Sequence, residues 1–533
     1  MLGHLAFVLA LLAVVVLARL IADRLNVPYT IVLTVCGLIY AVLPGPNLRL
    51  RPEIVLVAVI PPLLYSAARR SSLLAIRADW RPITSLSVVL VLVTAFVVGF
   101  AVSAVVPGVP LAAGVVLGAA VAPPDPVASL SVGARAGLPH RMLTLIGGEG
   151  LLNDGTALTT WQVAVAATIG GGFSLAMAAG RFVLAAGGGL VVGLVIGYLV
   201  RWARRFLRDP LAANTVSLAT PFLAYFVGEE AHVSGVLAVV IAGLLAGHDA
   251  PVGESGASRL QTGAVWQFVE FLLEGLVFLL IGQQLPQVLR GLRDEPPATT
   301  AAAIVVTVAA VLLVRPLWLF LTQTIPGWLG WRFGEQNPTL TGREAVAITW
   351  AGTRGVITLA AIFSVPATIR GGRPFPDRDL LLLCAYVVVL VTLVGQGLTF
   401  GPLLRLLGLR TNSVEEAQVR NDARLAAVTA AQDAVSDMLA EHEITPEIAE
   451  ELRTQLRHRT DRYRVSEAML EQASGEELTW TPHFESLVAA QHAIIFAERQ
   501  ELLRWRDAGQ LPDHNLRQLQ HELDQEERLL PGS

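Results

Sequence analysis

From residue 2 to residue 407 the chain repeats one pattern, a run of Leu, Val, Ala, Ile and Phe followed by an Arg-bearing cluster or a Pro/Gly turn. A helical run of about 20 apolar residues matches the thickness of a bilayer core. The runs fall at residues 2–22, 27–44, 52–66, 82–106, 109–133, 140–166, 180–206, 213–228, 233–247, 264–288, 299–325, 343–368 and 379–407. They predict about thirteen transmembrane helices. The first, "LAFVLALLAVVVLARL", lacks a basic leader and a small-residue cleavage site, so it reads as a spanning helix and not as a removed signal. After "LLRLLGLR" the pattern changes. Residues 408–533 are rich in Glu, Arg, Gln and Ala, with apolar residues at helical spacing as in "ARLAAVTAAQDAVSDML". The expected architecture is all-α, with a polytopic membrane domain at 1–407 and a soluble helical cytoplasmic domain of regulatory character at 408–533.

Composition supports this pattern: of 533 residues 53% are hydrophobic and 15% charged, and the mean hydropathy is +0.58. Such values exclude an ordinary soluble protein of this size. A net charge of -4 points to no nucleic-acid partner. All 39 basic residues are Arg, and they favour the loops after odd-numbered segments, as in "AARRSSLLAIRADWR" and "RWARRFLRD". By the positive-inside rule the N-terminus lies outside and the C-terminus in the cytoplasm. Cys36 and Cys384 stand alone in apolar runs, so neither a disulfide framework nor a thiolate metal site is implied, and no cofactor is expected. Six histidines beyond residue 408, including His458 and His492, have the chemistry of a pH sensor but read as surface residues. The glycines of "IGGGF" and "AAGGGL" near the start of the seventh segment read as turn and close-packing positions.

Four apolar segments carry charge, which costs about 2.5–3.5 kcal/mol at mid-bilayer unless the group faces a partner or an aqueous cavity. In "VAPPDPVAS", Pro123, Pro124 and Pro126 surround Asp125 and remove backbone donors, so the fifth helix should break there. In "GGEGLLNDGTAL", Glu149 and Asn153 form an i,i+4 pair on one helix face, while Asp154 is turned one step further and can face a cavity. Arg315 in "VLLVRPLWLF" needs a counter-charge, and Glu149 is the obvious partner. Gly352, Thr353, Arg354 and Gly355 interrupt the twelfth segment in "WAGTRGVITLAA". Two broken helices, seven positions apart in helix order, are the pattern of an inverted-repeat transporter whose half-helix ends meet at the ion site.

At these residues the sequence resembles the monovalent cation:proton antiporter family, specifically its bacterial sodium/proton exchangers, over residues 1–407. The family's Thr-Asp-Pro matches Pro124 to Pro126, its Glu-Ser-Leu-x-Asn-Asp-Gly matches Glu149 to Gly155, its buried Arg matches Arg315, and its Gly-x-Arg-Gly matches Gly352 to Gly355. The resemblance implies that Asp154 alternately binds a cation or a proton, with Asp125 beside it. It implies that Asn153 orients the site, that Glu149 and Arg315 tie two helices together, and that Arg354 neutralises the half-helix C-terminal ends. It further implies a homodimer in which a six-helix core moves like an elevator against a dimerisation domain. Three positions depart from the pattern. Pro124 replaces a Thr and leaves only its backbone carbonyl as a ligand, Gly150 replaces a Ser, and Ser66 stands where relatives often have an acid. Fewer side-chain oxygens leave the choice among sodium, lithium and potassium open.

The chemistry follows without the resemblance. A carboxylate partly withdrawn from water titrates nearer neutrality, where a proton competes with a hard monovalent cation for the same oxygens. If the empty, deprotonated site rarely crosses the membrane, cation and proton move in opposite directions. Asn153 cannot titrate, and in the arrangement the resemblance implies, Arg354 together with the broken-helix amide ends can hold Asp125 ionised, so one proton per cation is expected. Rival readings are a potassium/proton antiporter, an organic-anion symporter and an intramembrane aspartyl protease. The symporter lacks an obvious basic substrate pocket, and the protease lacks its Gly-x-Gly-Asp and Pro-Ala-Leu segments. The expected protein is therefore no enzyme but an electroneutral sodium/proton antiporter of the cytoplasmic membrane, serving pH and sodium homeostasis.

Overall fold

The computed structural model describes residues 2–25, 27–42, 54–170, 175–207, 209–253, 256–290, 296–330, 340–370, 372–410, 413–472, 482–508 and 510–527. Two compact units divide the chain, Met1–Arg410 and Thr411–Ser533.

The first unit carries helix on each of the apolar segments. In chain order these are α1 (Leu2–Leu25), α2 (Tyr29–Val42), α3 (Ile60–Arg70), α4 (Trp80–Val105), α5 (Leu111–Val121), α6 (Pro126–Arg135), α7 (His140–Gly170), α8 (Leu175–Arg204), α9 (Pro210–Glu230), α10 (Gly235–Gly253), α11 (Gly256–Gln283), α12 (Pro297–Gly330), α13 (Gly342–Trp350), α14 (Val356–Phe363) and α15 (Arg378–Leu407). Among the described residues seven helical stretches are long and apolar enough to cross a membrane, and α2 and α10 are shorter apolar helices. The outward faces of α8 and α12 are apolar, with Val183, Val195, Leu313 and Leu317 exposed. Lipid, not water, suits such a surface.

Boundaries differ from the hydropathy reading where local chemistry intervenes. A π-helical turn at Val55–Val59 leads into α3, whose first turn holds Pro61 and Pro62, residues that lack the N–H a continuing helix would need. Hydropathy sets the tenth segment at 264–288, but α11 begins at Gly256 and stops at Gln283, before a short helix at Leu285–Arg290. The twelfth segment ends at Phe363, not 368, because the chain turns at Ser364 ahead of Pro366. The glycines of "AAGGGL", Gly187 to Gly189, make no turn and lie inside α8. Their close-packing role holds, since Gly189 and Gly193 let the α8 backbone approach Ser234 and Ala238 at the start of α10. Residues 171–173 of "IGGGF" fall outside the described residues. Cys384 is buried and Cys36 partly so, both as free thiols.

The fifth and twelfth segments are interrupted. The chain leaves helix between α5 and α6 at residues 122–125 and between α13 and α14 at residues 351–355. A capping box starts α13, with Thr341 Oγ1 accepting from the Glu344 N–H at 3.3 Å and Glu344 Oε2 accepting from the Thr341 N–H at 2.7 Å. The core gathers around these breaks, and Tyr386 of α15 is fully buried, donating to Ile281 and Gly282 carbonyls of α11 at 3.1 and 3.3 Å.

The second unit contains α16 (Ser413–Ala440), α17 (Pro446–Gln472), α18 (Pro482–Asp507) and α19 (Asp513–Glu527). Asn421 of α16 donates to the Tyr463 carbonyl of α17 at 3.0 Å. Arg499 of α18 pairs with Asp524 and with Glu527 of α19, and His492 lies 3.7 Å from Glu527.

Candidate functional site

The two interruptions cross and bond to each other. The Asp125 N–H donates to the Thr353 carbonyl at 2.6 Å, and Thr353 Oγ1 donates to the Asp125 carbonyl at 2.8 Å. Ser129 Oγ adds a bond to the Ala351 carbonyl at 2.7 Å. Backbone groups freed by the breaks are thus partnered inside the protein, as a low-dielectric setting demands.

Charge is sorted at this crossing. Helices α5 and α13 end there, and their last carbonyls are the negative ends of two dipoles. Arg354, 2% exposed, donates from Nε to the Val121 carbonyl at 2.7 Å and from Nη1 to the Gly352 carbonyl. Its own N–H donates to Thr392 Oγ1 at 2.9 Å, on a π-helical turn of α15. Helices α6 and α14 begin there, and their N–H groups are the positive ends. Asp125 occupies that side: Oδ1 accepts from the Val127 N–H at 3.0 Å, and the carboxylate also meets the Val356 N–H. Gly355 makes this seat possible, since a Cβ on it would fall 1.7 Å from Asp125 Oδ2. The amide ends therefore hold Asp125, and the guanidinium of Arg354 lies on the carbonyl ends, the side to which the resemblance assigns it.

Helix α7 runs unbroken past this crossing, and Asn-Asp-Gly at residues 153–155 makes no turn. Asn153, fully buried, donates from Nδ2 to the Pro124 carbonyl at 2.8 Å and so fixes α7 to the break; among the described residues its Oδ1 has no partner. Asp154 is 4% exposed and lines a cavity of about 680 Å³ together with Asp125, Pro124 and Gly150. Among the described residues no hydrogen bond reaches the Asp154 carboxylate. The lining of the cavity also takes in Arg70 and His140, the last residue of α3 and the first of α7. Gly150 leaves no space for a side chain here: a Cβ would fall 2.4 Å from Pro126 Cγ, so the proline ring occupies the seat. Ser66 is buried and does not line the cavity.

Glu149 faces away from the cavity, one turn of α7 before Asn153. It accepts a bidentate pair from Arg315, Nη1 to Oε1 at 2.5 Å and Nη2 to Oε2 at 2.7 Å, with both side chains buried. Arg315 Nε also donates to the Ile348 carbonyl at 3.0 Å, in the last turn of α13. One guanidinium thus joins α7, α12 and a broken helix.

Two acids that line the cavity escaped the sequence reading. Glu270 and Glu274 sit one turn apart on α11; Glu270 pairs with Arg70, and Glu274 accepts from the Tyr29 hydroxyl. Their signal was present, since charge within "VWQFVEFLLEGLVFLLIG" breaks the same rule that singled out Asp154. Thr358 of α14 also lines the cavity. As a lone hydroxyl in an apolar run it carried no signal at all.

The family model described as "Sodium/hydrogen exchanger, transmembrane" matches residues 9–406. An uncharacterized Na(+)/H(+) exchanger of Mycobacterium tuberculosis (strain ATCC 25618 / H37Rv) is 31% identical over 532 residues, which is 98% of this chain and 95% of the relative. A sodium, potassium, lithium and rubidium/H(+) antiporter of Bacillus subtilis (strain 168) is 34% identical over 406 residues, covering 73% of this chain and 59% of that protein. The fold is like that of the sodium proton antiporter MjNhaP1 from Methanocaldococcus jannaschii, with a TM-score of 0.61 and 20% identity over 76% of this chain and all of the other. The crossed half-helices and the match over nearly the whole first unit have one meaning: the chain belongs to the sodium/hydrogen exchanger family, multi-pass membrane transporters and not enzymes.

Proposed function

We propose that this protein exchanges one sodium ion for one proton across the cytoplasmic membrane, with Asp154 as the group that holds either. A single observation carries the reading: a buried carboxylate, with no hydrogen-bond partner among the described residues, faces a cavity at the crossing of two broken helices. An anion so placed invites a cation or a proton. Asp125 and the carbonyl of Pro124 flank it, Gly150 contributes backbone alone, and Asn153 aligns α7 with the break. The lining includes Arg70 and Ser71, at the start of an Arg-bearing loop that the positive-inside rule puts in the cytoplasm, which favours an inward-facing state with the N-terminus outside. The protein acts as a homodimer in this reading, and its exchange serves sodium and pH homeostasis. Potassium is the second reading, supported by the cation range in the name of the Bacillus relative.

The charge count gives the stoichiometry. Glu149 is paired with Arg315, Asn153 cannot titrate, and two backbone N–H groups hold Asp125 in place. At the crossing Asp154 alone is then left to titrate, and with Glu270 paired to Arg70 and Glu274 bonded by the Tyr29 hydroxyl throughout the cycle, turnover is electroneutral. The test is cation-induced proton movement in sealed proteoliposomes, with sodium, lithium and potassium added separately and a diffusion potential imposed by an ionophore. Sodium-driven exchange that ignores the potential is expected. A sustained, sign-dependent change in flux after correction for proton leak means that net charge moves and that a second carboxylate titrates in each cycle.

Residues 408–533 are assigned to cytoplasmic regulation, because every group at the crossing lies upstream. Deleting residues 413–533 should leave exchange intact and at most shift its pH profile. Complete loss of exchange in a well-folded truncation makes that unit part of the transport machinery.

A further inference from the structure

Thr358 is the third residue of α14, is 1% exposed, and lines the cavity that Asp125 and Asp154 face. Among the described residues its hydroxyl has no hydrogen-bond partner. A hydroxyl in a helix usually returns to the carbonyl four residues back. In this unit Thr34, Thr94, Thr159, Thr160, Thr307 and Thr392 all do so, at 2.7 to 2.9 Å. For Thr358 that position is Arg354, which lies in the non-helical crossing, and the local bond is not made. The break in the helix therefore frees this hydroxyl.

A buried hydroxyl left unpartnered is costly, and two acceptor lone pairs make it a neutral oxygen ligand. The site is short of such ligands. Proline at 124 and glycine at 150 carry no side-chain oxygen, and the Pro124 carbonyl already accepts from Asn153. Thr358 approaches from the other broken helix, two residues beyond the Val356 N–H that meets Asp125, or about 3 Å further along the axis.

We propose that Thr358 Oγ1 is a ligand of the transported monovalent cation and helps to set which cation is taken. The inference rests on the antiport reading above. The experiment compares Thr358→Val, which keeps the shape and removes the oxygen, with Thr358→Ser, which keeps the oxygen. Both are measured as purified full chains in proteoliposomes, with KM determined for sodium, lithium and potassium and with the pH profile recorded. Thr358→Val should raise KM about tenfold for the preferred cation and alter the ratio of the three KM values, whereas Thr358→Ser stays within about threefold of the parent. Thr358→Ala carries the same expectation should the valine misfold. An unchanged KM for all three cations in Thr358→Val overturns the proposal while leaving antiport standing. So does an equal shift for all three accompanied by a matching shift in proton dependence, since the hydroxyl then acts on protonation of the carboxylates. A parent protein with no cation-dependent exchange overturns the antiport reading itself.

Discussion

Asp154→Asn abolishes cation-dependent exchange in a protein that keeps its fold. The substitution conserves volume and removes only the charge. No hydrogen bond among the described residues depends on that charge, so the melting temperature should stay near that of the parent. Asp125→Asn is expected to abolish exchange as well, but with a different companion effect. Asp125 is the N-cap of α6 and meets the first N–H of α14 too. Asparagine caps a helix nearly as well as aspartate, yet it has one acceptor oxygen where two N–H groups wait. A loss of about 1 kcal/mol is therefore expected for Asp125→Asn, and none for Asp154→Asn. Exchange assays paired with thermal unfolding separate the two. Retained exchange in purified Asp154→Asn sinks the assignment of the site.

What could be read in the sequence was whatever violates a local rule. Three prolines around Asp125 forbid a continuous helix, and the break is there. Two charges of opposite sign in separate apolar runs need each other, and Glu149 and Arg315 meet in a bidentate pair. The run around Asn153 and Asp154 is helical, because apolar flanks outweigh a turn-forming triplet. Long-range placement was less legible. The mutual bonds of Asp125 and Thr353 join residues 228 apart, and no periodicity reports such a meeting. Only the resemblance places Arg354 near the carbonyl ends, and which N–H groups meet Asp125 depends on how the two breaks cross. The seat of Pro126 against Gly150 depends on how closely α6 and α7 approach, which composition does not encode. Glu270 and Glu274 are a different case: the cost of charge in an apolar run exposes them too, but no proline beside them marks the spot.

Glu149→Gln and Arg315→Gln should each cost about 3–5 kcal/mol of stability, because either one strands a buried charge. The two losses should not be equal. Glu149→Gln leaves Arg315 its bond to the Ile348 carbonyl, so one of its three hydrogen bonds survives untouched. Arg315→Gln strands the Glu149 carboxylate and also uncaps the last turn of α13, a second unsatisfied group worth about 1–3 kcal/mol. Arg315→Gln is therefore the less stable of the two. The double variant should recover part of the loss, since two neutral amides can bond to one another and no ion remains buried. Thermal unfolding of the parent, both single variants and the double variant in one detergent gives the coupling directly. The signature of a structural pair is a fall in melting temperature and yield that precedes any change in cation selectivity. Should both single variants be as heat-stable as the parent, the ion pair does not hold α7 to α12. A selectivity change at full stability would instead put Glu149 in contact with the transported ion.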